Sequence, residues 1–159
     1  MSELRNEGLI RNVGVSNFGV NHIKELEELP DVAPIANNQI MFNPFVPEHV
    51  IATVDYCQKR NITITAYSPL GGMGYKDRAL VNQQLKDLSG KLGKSVSQIM
   101  LRWALQSGCA IIPGTGNPDH MKENLDVYKF VLSDGDMKQI NDLKHTAKGF
   151  VHMDGNSFE

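Results

Sequence analysis

The sequence lacks the features that would indicate a membrane protein, a metal centre or a nucleic-acid binder. No apolar run approaches the roughly 18 residues needed to cross a bilayer, and residues 1–7 are too polar to open a secretory signal. Cys57 and Cys109 form no CxxC pair and no Cys/His cluster, so we expect packing residues rather than a disulfide or zinc site. The net charge of −2 gives no electrostatic reason to expect nucleic acid. These absences favour a cytoplasmic protein.

The composition sets the number of domains that we expect. Of the 159 residues, 41% are hydrophobic and 21% are charged, which is typical of a globular protein with its own core. There is no low-complexity tract and no obvious linker. We therefore expect a single domain covering residues 1–159.

Four short runs rich in β-branched residues are each followed by turn residues and then by an amphipathic helical pattern. In the first helical pattern, Ile23, Leu26 and Leu29 recur at three-residue steps and mark one apolar face. This alternation is typical of parallel βα units. The four runs are 11–17, 35–42, 62–67 and 109–112.

Helix-capping residues stand at the ends of these patterns. Serine and asparagine suit N-caps, proline suits a first helical position, and glycine suits the residue after a helix. Because a helix N-terminus is partly positive, the loop 113–119 is also a predicted anion site. The predicted boundaries are Pro47 as a first helical residue, Ser95, Asn117 and Ser133 as N-caps, and Gly108 as a helix stop.

Five segments carry a resemblance that covers almost the whole chain. They are Gly14–Phe18 (GVSNF), Asn38–Gln39, Ala66–Gly71 (AYSPLG), Gln98–Trp103 (QIMLRW) and Ile112–Asn124. In order and spacing they resemble the aldo-keto reductase family, with the four runs corresponding to strands five to eight of its eight-stranded barrel. The resemblance implies an α/β fold, a (β/α)4 half of a TIM barrel with parallel strands and outer helices. A complete barrel takes about 250 residues.

The same resemblance implies an oxidoreductase that reduces aldehydes or ketones with NAD(P)H. The family carries its catalytic Asp, Tyr, Lys and His on earlier strands, so no residue of this chain matches them and none is assigned as catalytic. We therefore expect the chain to be inactive alone. A serine hydrolase using Ser16 or Ser68 has no GxSxG elbow in its favour.

By resemblance, Ser16, Asn17 and Gln39 hydrogen-bond the carboxamide of a nicotinamide ring, which needs both donors and acceptors. Tyr67 then places its ring against one face of the nicotinamide. The residues alone leave plainer interpretations open. Ser16 and Asn17 suit a simple turn, Gln39 suits a strand end, and Tyr67 suits a half-buried strand tyrosine with a satisfied hydroxyl.

The loop after the third run, with Gly71, Gly72, Met73 and Gly74, is too glycine-rich for regular structure. The resemblance assigns Ser68, Leu70 and Gly71 to the pyrophosphate, chiefly through backbone N–H groups. The alternative is a surface loop without a ligand.

The resemblance assigns the segment after the fourth run to the adenosine end of the cofactor. Many family members have lysine at Gly114 and arginine at His120, and these cations grip the 2′-phosphate of NADP. A neutral glycine and a mostly uncharged histidine weaken that preference, so NADP is expected with NAD as the alternative. The residues assigned to ribose and phosphate are Gly114, Thr115, Gly116, Asn117 and His120, and those near adenine are Glu123 and Asn124.

A half-barrel has two unpaired strand edges, and we expect it to expose the apolar side chains that fill a barrel centre. These features predict a homodimer, or a complex with a chain that supplies the missing half-barrel. The alternative function is therefore a non-catalytic half-barrel that binds a nucleotide or a partner.

Overall fold

The computed structural model describes residues 1–72, 80 and 82–143, which include four strands and seven α-helices. The strands are β1 (Val13–Ser16), β2 (Ile35–Met41), β3 (Thr63–Tyr67) and β4 (Cys109–Ile111). The helices are α1 (Ser2–Asn6), α2 (Val20–Glu28), α3 (Glu48–Gln58), α4 (Gln83–Leu92), α5 (Val96–Gln106), α6 (Pro118–Leu125) and α7 (Asp134–Asn141), with a 3₁₀ turn at Asp126–Lys129. Met73 and Gly74 of the predicted loop lie outside the described residues.

The strands form one sheet in the order β1-β2-β3-β4, and every neighbouring pair is parallel. Parallel neighbours need a crossover connection, and α2, α3 and the α4–α5 pair supply these connections. Chain order therefore equals spatial order, as in one continuous part of a barrel. The predicted (β/α)4 arrangement is confirmed.

Local capping explains where most helices begin. The Ser95 side chain accepts a hydrogen bond from the Gln98 N–H, while the Gln98 side chain accepts one from the Ser95 N–H. Ser133 and Asn117 cap α7 and α6 as predicted, and Gly108 follows α5 at a φ of 77°. The prediction for Pro47 was wrong by one residue. Pro47 has an extended ψ of 163° and is the N-cap, so α3 begins at Glu48.

The hydrophobic core lies between the sheet and its helices. Ile40, Ile64 and Ala66 point from the strands toward the helical layer and are buried. From the helical side, the Trp103 ring stacks on Phe42 with centroids 4.8 Å apart and planes 16° apart. Rings that size bury enough apolar surface to dominate the energetics of a small core.

The helix-free face of the sheet carries small and polar side chains. Side chains alternate between the faces of a strand, so Ser16, Gln39 and Thr65, which pair across β1, β2 and β3, share this face. The Asn37 Nδ2 donates to Thr65 Oγ1 at 2.8 Å. Ile112, which directly follows β4, is a large aliphatic residue beside this face, and its side chain is exposed. We expected apolar side chains on this face, and that expectation was wrong for most of its positions.

The cysteines are buried and unbonded to each other. Burial raises the pKa of the Cys109 thiol to about 12 and also raises that of Cys57. Thiols that stay protonated are poor nucleophiles and poor metal ligands. The prediction that both act as packing residues is confirmed.

Candidate functional site

The carboxyl ends of β1 and β2 bring three of the predicted residues together. The Ser16 Oγ donates to the Gln39 carbonyl at 3.0 Å, and the Asn17 N–H donates to the same carbonyl at 2.9 Å. Ser16 and Gln39 are register partners, so both side chains lie on the helix-free face. Asn17 has a φ of 59°, a left-handed conformation in which asparagine is several-fold enriched.

Tyr67 joins this group from the end of β3. Its hydroxyl donates to the Asn17 Oδ1 at 3.0 Å, so the two side chains bridge the strand between them. Burial raises the pKa of the Tyr67 phenol. The phenol therefore stays protonated near neutral pH and remains a donor. A bonded hydroxyl agrees with the alternative interpretation of Tyr67 as a half-buried strand tyrosine. Its partner, Asn17, is a residue that the family resemblance assigns to the same nicotinamide.

Two buried asparagines near this group were not assigned any role from the sequence. Asn38 on β2 and Asn43 just after β2 are both fully buried. Asn38 bonds the backbone of Phe18, and Asn43 bonds the carbonyl of Ser68. The sequence does contain a signal, because Asn38 has the same strand parity as the core residue Ile40. A polar residue on the apolar parity needs a buried partner.

The loop after β3 turns sharply around the predicted pyrophosphate residues. Ser68 has a φ of 47° and Gly71 a φ of 96°, and the Gly71 N–H donates to the Ser68 carbonyl at 2.9 Å. Gly72 also has a positive φ, and a Cβ there would lie 3.2 Å from the Ser68 hydroxyl. Leu70 packs against the core, which anchors the loop from its other side.

The segment after β4 is exposed and held by short-range contacts. The Asn117 N–H donates to Thr115 Oγ1 at 3.1 Å, and the Asp119 N–H donates to Asn117 Oδ1 at 2.8 Å. A Cβ at Gly114 or at Gly116 would meet no atom within 4 Å. His120 is exposed in the first turn of α6. This end of the site is therefore open to solvent and has room for larger side chains.

The predicted adenine residues lie in the second half of α6. Glu123 is tied to the start of α5, where the Gln98 Nε2 donates to its carbonyl at 3.0 Å and the Ser95 Oγ to its carboxylate at 3.4 Å. Asn124 is half-buried beside it. The contacts with α5 fix the position of α6 relative to the sheet.

The nicotinamide residues and the segment after β4 lie at the carboxyl ends of the same sheet. Ser16, Asn17, Gln39 and Tyr67 are linked directly, whereas the Gly114–Asn124 segment begins one strand further along, where the Ile112 N–H donates to the Ala66 carbonyl at 3.2 Å. Strands are about 4.8 Å apart, so the edge from β1 to β4 is about 14 Å long. That length suits an extended ligand better than a single small ring.

Comparisons with known proteins identify the family of the chain. The model of the aldo/keto reductase family matches residues 1–145. The chain belongs to the aldo/keto reductase family. It is 34% identical over 153 residues to the probable NAD(P)H-dependent D-xylose reductase of Emericella nidulans, covering 90% of this chain and 47% of that protein.

Solved structures of the family match the fold. An aldo-keto reductase enzyme from a Medee basin deep-sea metagenome library superposes with a TM-score of 0.82 at 34% identity, over 96% of this chain and 54% of that one. An aldo-keto reductase crystallised with NADPH gives 0.76 at 33% identity, over 88% and 44%. The chain thus spans about half the length of the curated relatives it matches, and its sheet is half of their barrel.

The described residues offer no candidate membrane-spanning helix and no candidate metal site. No helix among them is both long and apolar enough to cross a membrane. Within 1–72, 80 and 82–143, no three His, Cys, Asp or Glu side chains are grouped so that they could hold a metal ion.

Proposed function

We propose that this chain forms the dinucleotide-binding half of an NAD(P)H-dependent reductase of aldehydes and ketones. The observation that supports this most is the bond between Tyr67 and Asn17, because it gathers the residues assigned to the nicotinamide at one point of the sheet edge. Hydroxyl and amide side chains there provide both donors and acceptors, as a carboxamide requires. The residues present therefore fit the cofactor. We also propose that residues 1–159 are one cytoplasmic domain.

In this proposal Ser16, Asn17 and Gln39 orient the nicotinamide through its carboxamide, and the Tyr67 ring covers one face. A bound NAD(P)H supplies the hydride that reduces the substrate carbonyl. Covering one face leaves the other open to substrate, so the transfer is stereospecific. The Tyr67 hydroxyl is engaged with Asn17 and is not the acid of the reaction.

The rest of the cofactor follows the edge toward β4. Ser68, Leu70 and Gly71 meet the pyrophosphate from a loop in which Ser68 and Gly71 have positive φ angles. The N-terminus of α6 then favours a phosphate, because the first helical N–H groups are positive. The residues assigned to the adenosine end are Gly114, Thr115, Gly116, Asn117, His120, Glu123 and Asn124.

NADP is the proposed cofactor, with a weaker preference over NAD than a lysine and an arginine would give. Gly114 contributes no charge, and the exposed His120 replaces the guanidinium that binds phosphate in two parallel bonds. Substrate reduction by the 159-residue chain alone should be slow. The family's general acid corresponds to no residue here, and such an acid contributes about a hundred- to ten-thousand-fold.

A second function, association into a larger assembly, is favoured by the sheet edges. β1 and β4 each have only one neighbouring strand in the part of the chain that the structure describes. Large apolar side chains are exposed near both edges, including Leu9 before β1 and Ile112 after β4. We propose that a second copy, or a chain carrying complementary strands, covers these edges.

The test is a fluorescence titration with NADPH and NADH, with the oligomeric state measured by light scattering on the same sample. We expect both nucleotides to bind, NADPH more tightly, and a mass of at least twice 17.7 kDa. Absence of binding by either nucleotide would remove the proposed function. A monodisperse monomer would remove the proposed association and leave nucleotide binding intact. A rate of aldehyde reduction equal to that of a full-length reductase would contradict the expected inactivity.

A further inference from the structure

Two amide side chains on the second strand and its loop are buried beneath the candidate site. Asn38 and Asn43 are fully buried, so neither can touch a ligand at the sheet edge. A buried amide is costly unless its donors and acceptor are bonded. Each residue has a partner in the backbone of a neighbouring loop, which is Phe18 for Asn38 and Ser68 for Asn43.

Asn38 holds the loop after β1 at two points. Its Nδ2 donates to the Phe18 carbonyl at 2.8 Å, and the Phe18 N–H donates to its Oδ1 at 3.4 Å. One planar amide that bonds both polar groups of one residue fixes the orientation of that residue. Phe18 directly follows Asn17, so this bond pair also sets the direction in which Asn17 leaves the strand.

Asn43 holds the loop after β3. Its Nδ2 donates to the Ser68 carbonyl at 3.3 Å, and its Oδ1 accepts from the Phe45 N–H at 3.0 Å. The adjacent Phe42 N–H donates to the Tyr67 carbonyl at 3.3 Å. The main chain on both sides of the Tyr67–Ser68 bond is therefore tied to the segment that follows β2.

Asn17 and Ser68 share a further property. Both are non-glycine residues with positive φ, at 59° and 47°, a conformation that is uncommon outside glycine. Such conformations persist where the surrounding structure determines them. The buried amides of Asn38, on the central strand β2, and of Asn43, just after it, fix the two loops in these conformations.

We infer that Asn38 and Asn43 are positioning residues, which hold Asn17, Tyr67 and Ser68 in the geometry for the nicotinamide and pyrophosphate before the cofactor arrives. The inference rests on the proposed nucleotide-binding function. It adds that this half of the site is preorganised from beneath, so that binding requires little loop ordering. The adenine half is held separately, through Gln98 and the Glu123 carbonyl.

The test compares two probes, NADPH and 2′,5′-ADP, which carries only the adenosine end of the cofactor. For Asn38→Ala and Asn43→Ala we expect NADPH binding to weaken about tenfold through lost preorganisation, with 2′,5′-ADP affinity unchanged within about twofold. The matched control is Gln98→Ala, which removes a buried amide that supports the other end. It should weaken both probes by the same factor.

An unchanged ratio of the two affinities in the asparagine variants would overturn the inference, and so would an equal change of that ratio in Gln98→Ala.

A second measurement needs neither a variant nor a cofactor. The amides of Phe18 and Phe45 donate to the two asparagines, whereas the exposed Asn117 amide donates to a nearby hydroxyl. In cofactor-free wild type we expect Phe18 and Phe45 to exchange hydrogen about a hundredfold more slowly than Asn117. Equal exchange would overturn the inference even if an alanine variant fails to fold. If wild type binds neither probe, the proposed function fails while this measurement still decides the preorganisation.

Discussion

The two ends of the candidate site are built in different ways. At the β1–β3 end, hydrogen bonds connect residues that are 20 to 50 positions apart in the chain, and Asn38 and Asn43 lie fully buried below. At the β4 end, the bonds of Thr115 and Asn117 span two residues and are exposed. Long-range buried contacts fix one geometry, whereas short exposed contacts permit changes of side chain. Under the proposed function, the buried end would define the nicotinamide site and the exposed end would adjust the choice of nucleotide.

The largest difference between the ends should appear in stability. Phe42→Ala removes a buried ring that stacks on Trp103 and lies beside Asn43, so we expect the free energy of unfolding to fall by about 3–5 kcal/mol. Leu125→Ala, at the β4 end, removes a side chain that is 69% exposed, and its effect should stay within about 0.5 kcal/mol. Urea denaturation of both variants measures the contrast. Similar losses in the two variants would contradict the proposed difference between the ends.

Two helix caps should also differ in how their contribution to stability depends on pH. The Lys91 ammonium and the Ser133 hydroxyl bond the Asp136 carboxylate at the start of α7, and they hold its pKa below the ordinary value. The folded pKa is the lower one, so this stability is present above the unfolded pKa of about 3.9 and is lost as pH falls through the folded pKa.

We therefore expect Asp136→Asn to cost about 1–2 kcal/mol at pH 7 and progressively less below about pH 4. Asn117→Ala, which removes the neutral cap of α6, should cost about 1 kcal/mol with little change over the same range. Thermal unfolding at a series of pH values gives both curves. A cost for Asp136→Asn that does not change with pH would show that the charge of Asp136 is irrelevant to stability.

The open end should accept a new cation. Gly114→Lys adds a side chain where a Cβ meets no atom within 4 Å, and we expect NADPH to bind about tenfold more tightly with NADH unchanged. Gly90→Lys on α4 is the control, since it adds the same charge at another position with free space. Fluorescence titration of the two nucleotides checks the result. Equal gains for NADPH and NADH would contradict a phosphate contact at position 114.

We expect the smallest effect from removing the Tyr67 hydroxyl, which links the end of β3 to the loop after β1. Tyr67→Phe keeps the ring and removes the bond to Asn17, so we expect a loss of about 1 kcal/mol in stability and a few-fold weaker NADPH binding. Tyr128→Phe, at a ring that is 66% exposed, serves as the control and should change neither. A Tyr67→Phe variant with unchanged stability would show that the bond does not hold the two strand ends together.

The sequence predicted those parts of the fold that depend on local signals. Strand runs, the caps at Ser95 and Asn117, and the stop at Gly108 follow from residue type and spacing within a few positions. The cofactor residues came from family resemblance, and their roles remain predictions. The bonds from Asn38 to Phe18 and from Asn43 to Ser68 were not predictable from local signals, because these partners are 20 and 25 residues away in the chain.

Two expectations from the sequence were wrong. The half-barrel fold predicted exposed apolar side chains at the barrel centre, whereas Gly14, Ser16, Gln39 and Thr65 lie on the helix-free face. Periodicity alone does not show whether the polar positions of a strand face solvent or a barrel interior. Proline likewise suits both an N-cap and a first helical position, so the start of α3 was placed one residue early.

The amides and hydroxyls on the open face of the sheet restrict what can be placed against it. An apolar surface can pack against any partner of suitable volume. Polar side chains such as Asn37 and Thr65 instead favour a partner whose donors and acceptors have matching directions. Water molecules can hydrogen-bond these side chains in any direction that is required. Under the proposed association, a partner that covers this face would compete with solvent through the orientation of its polar groups.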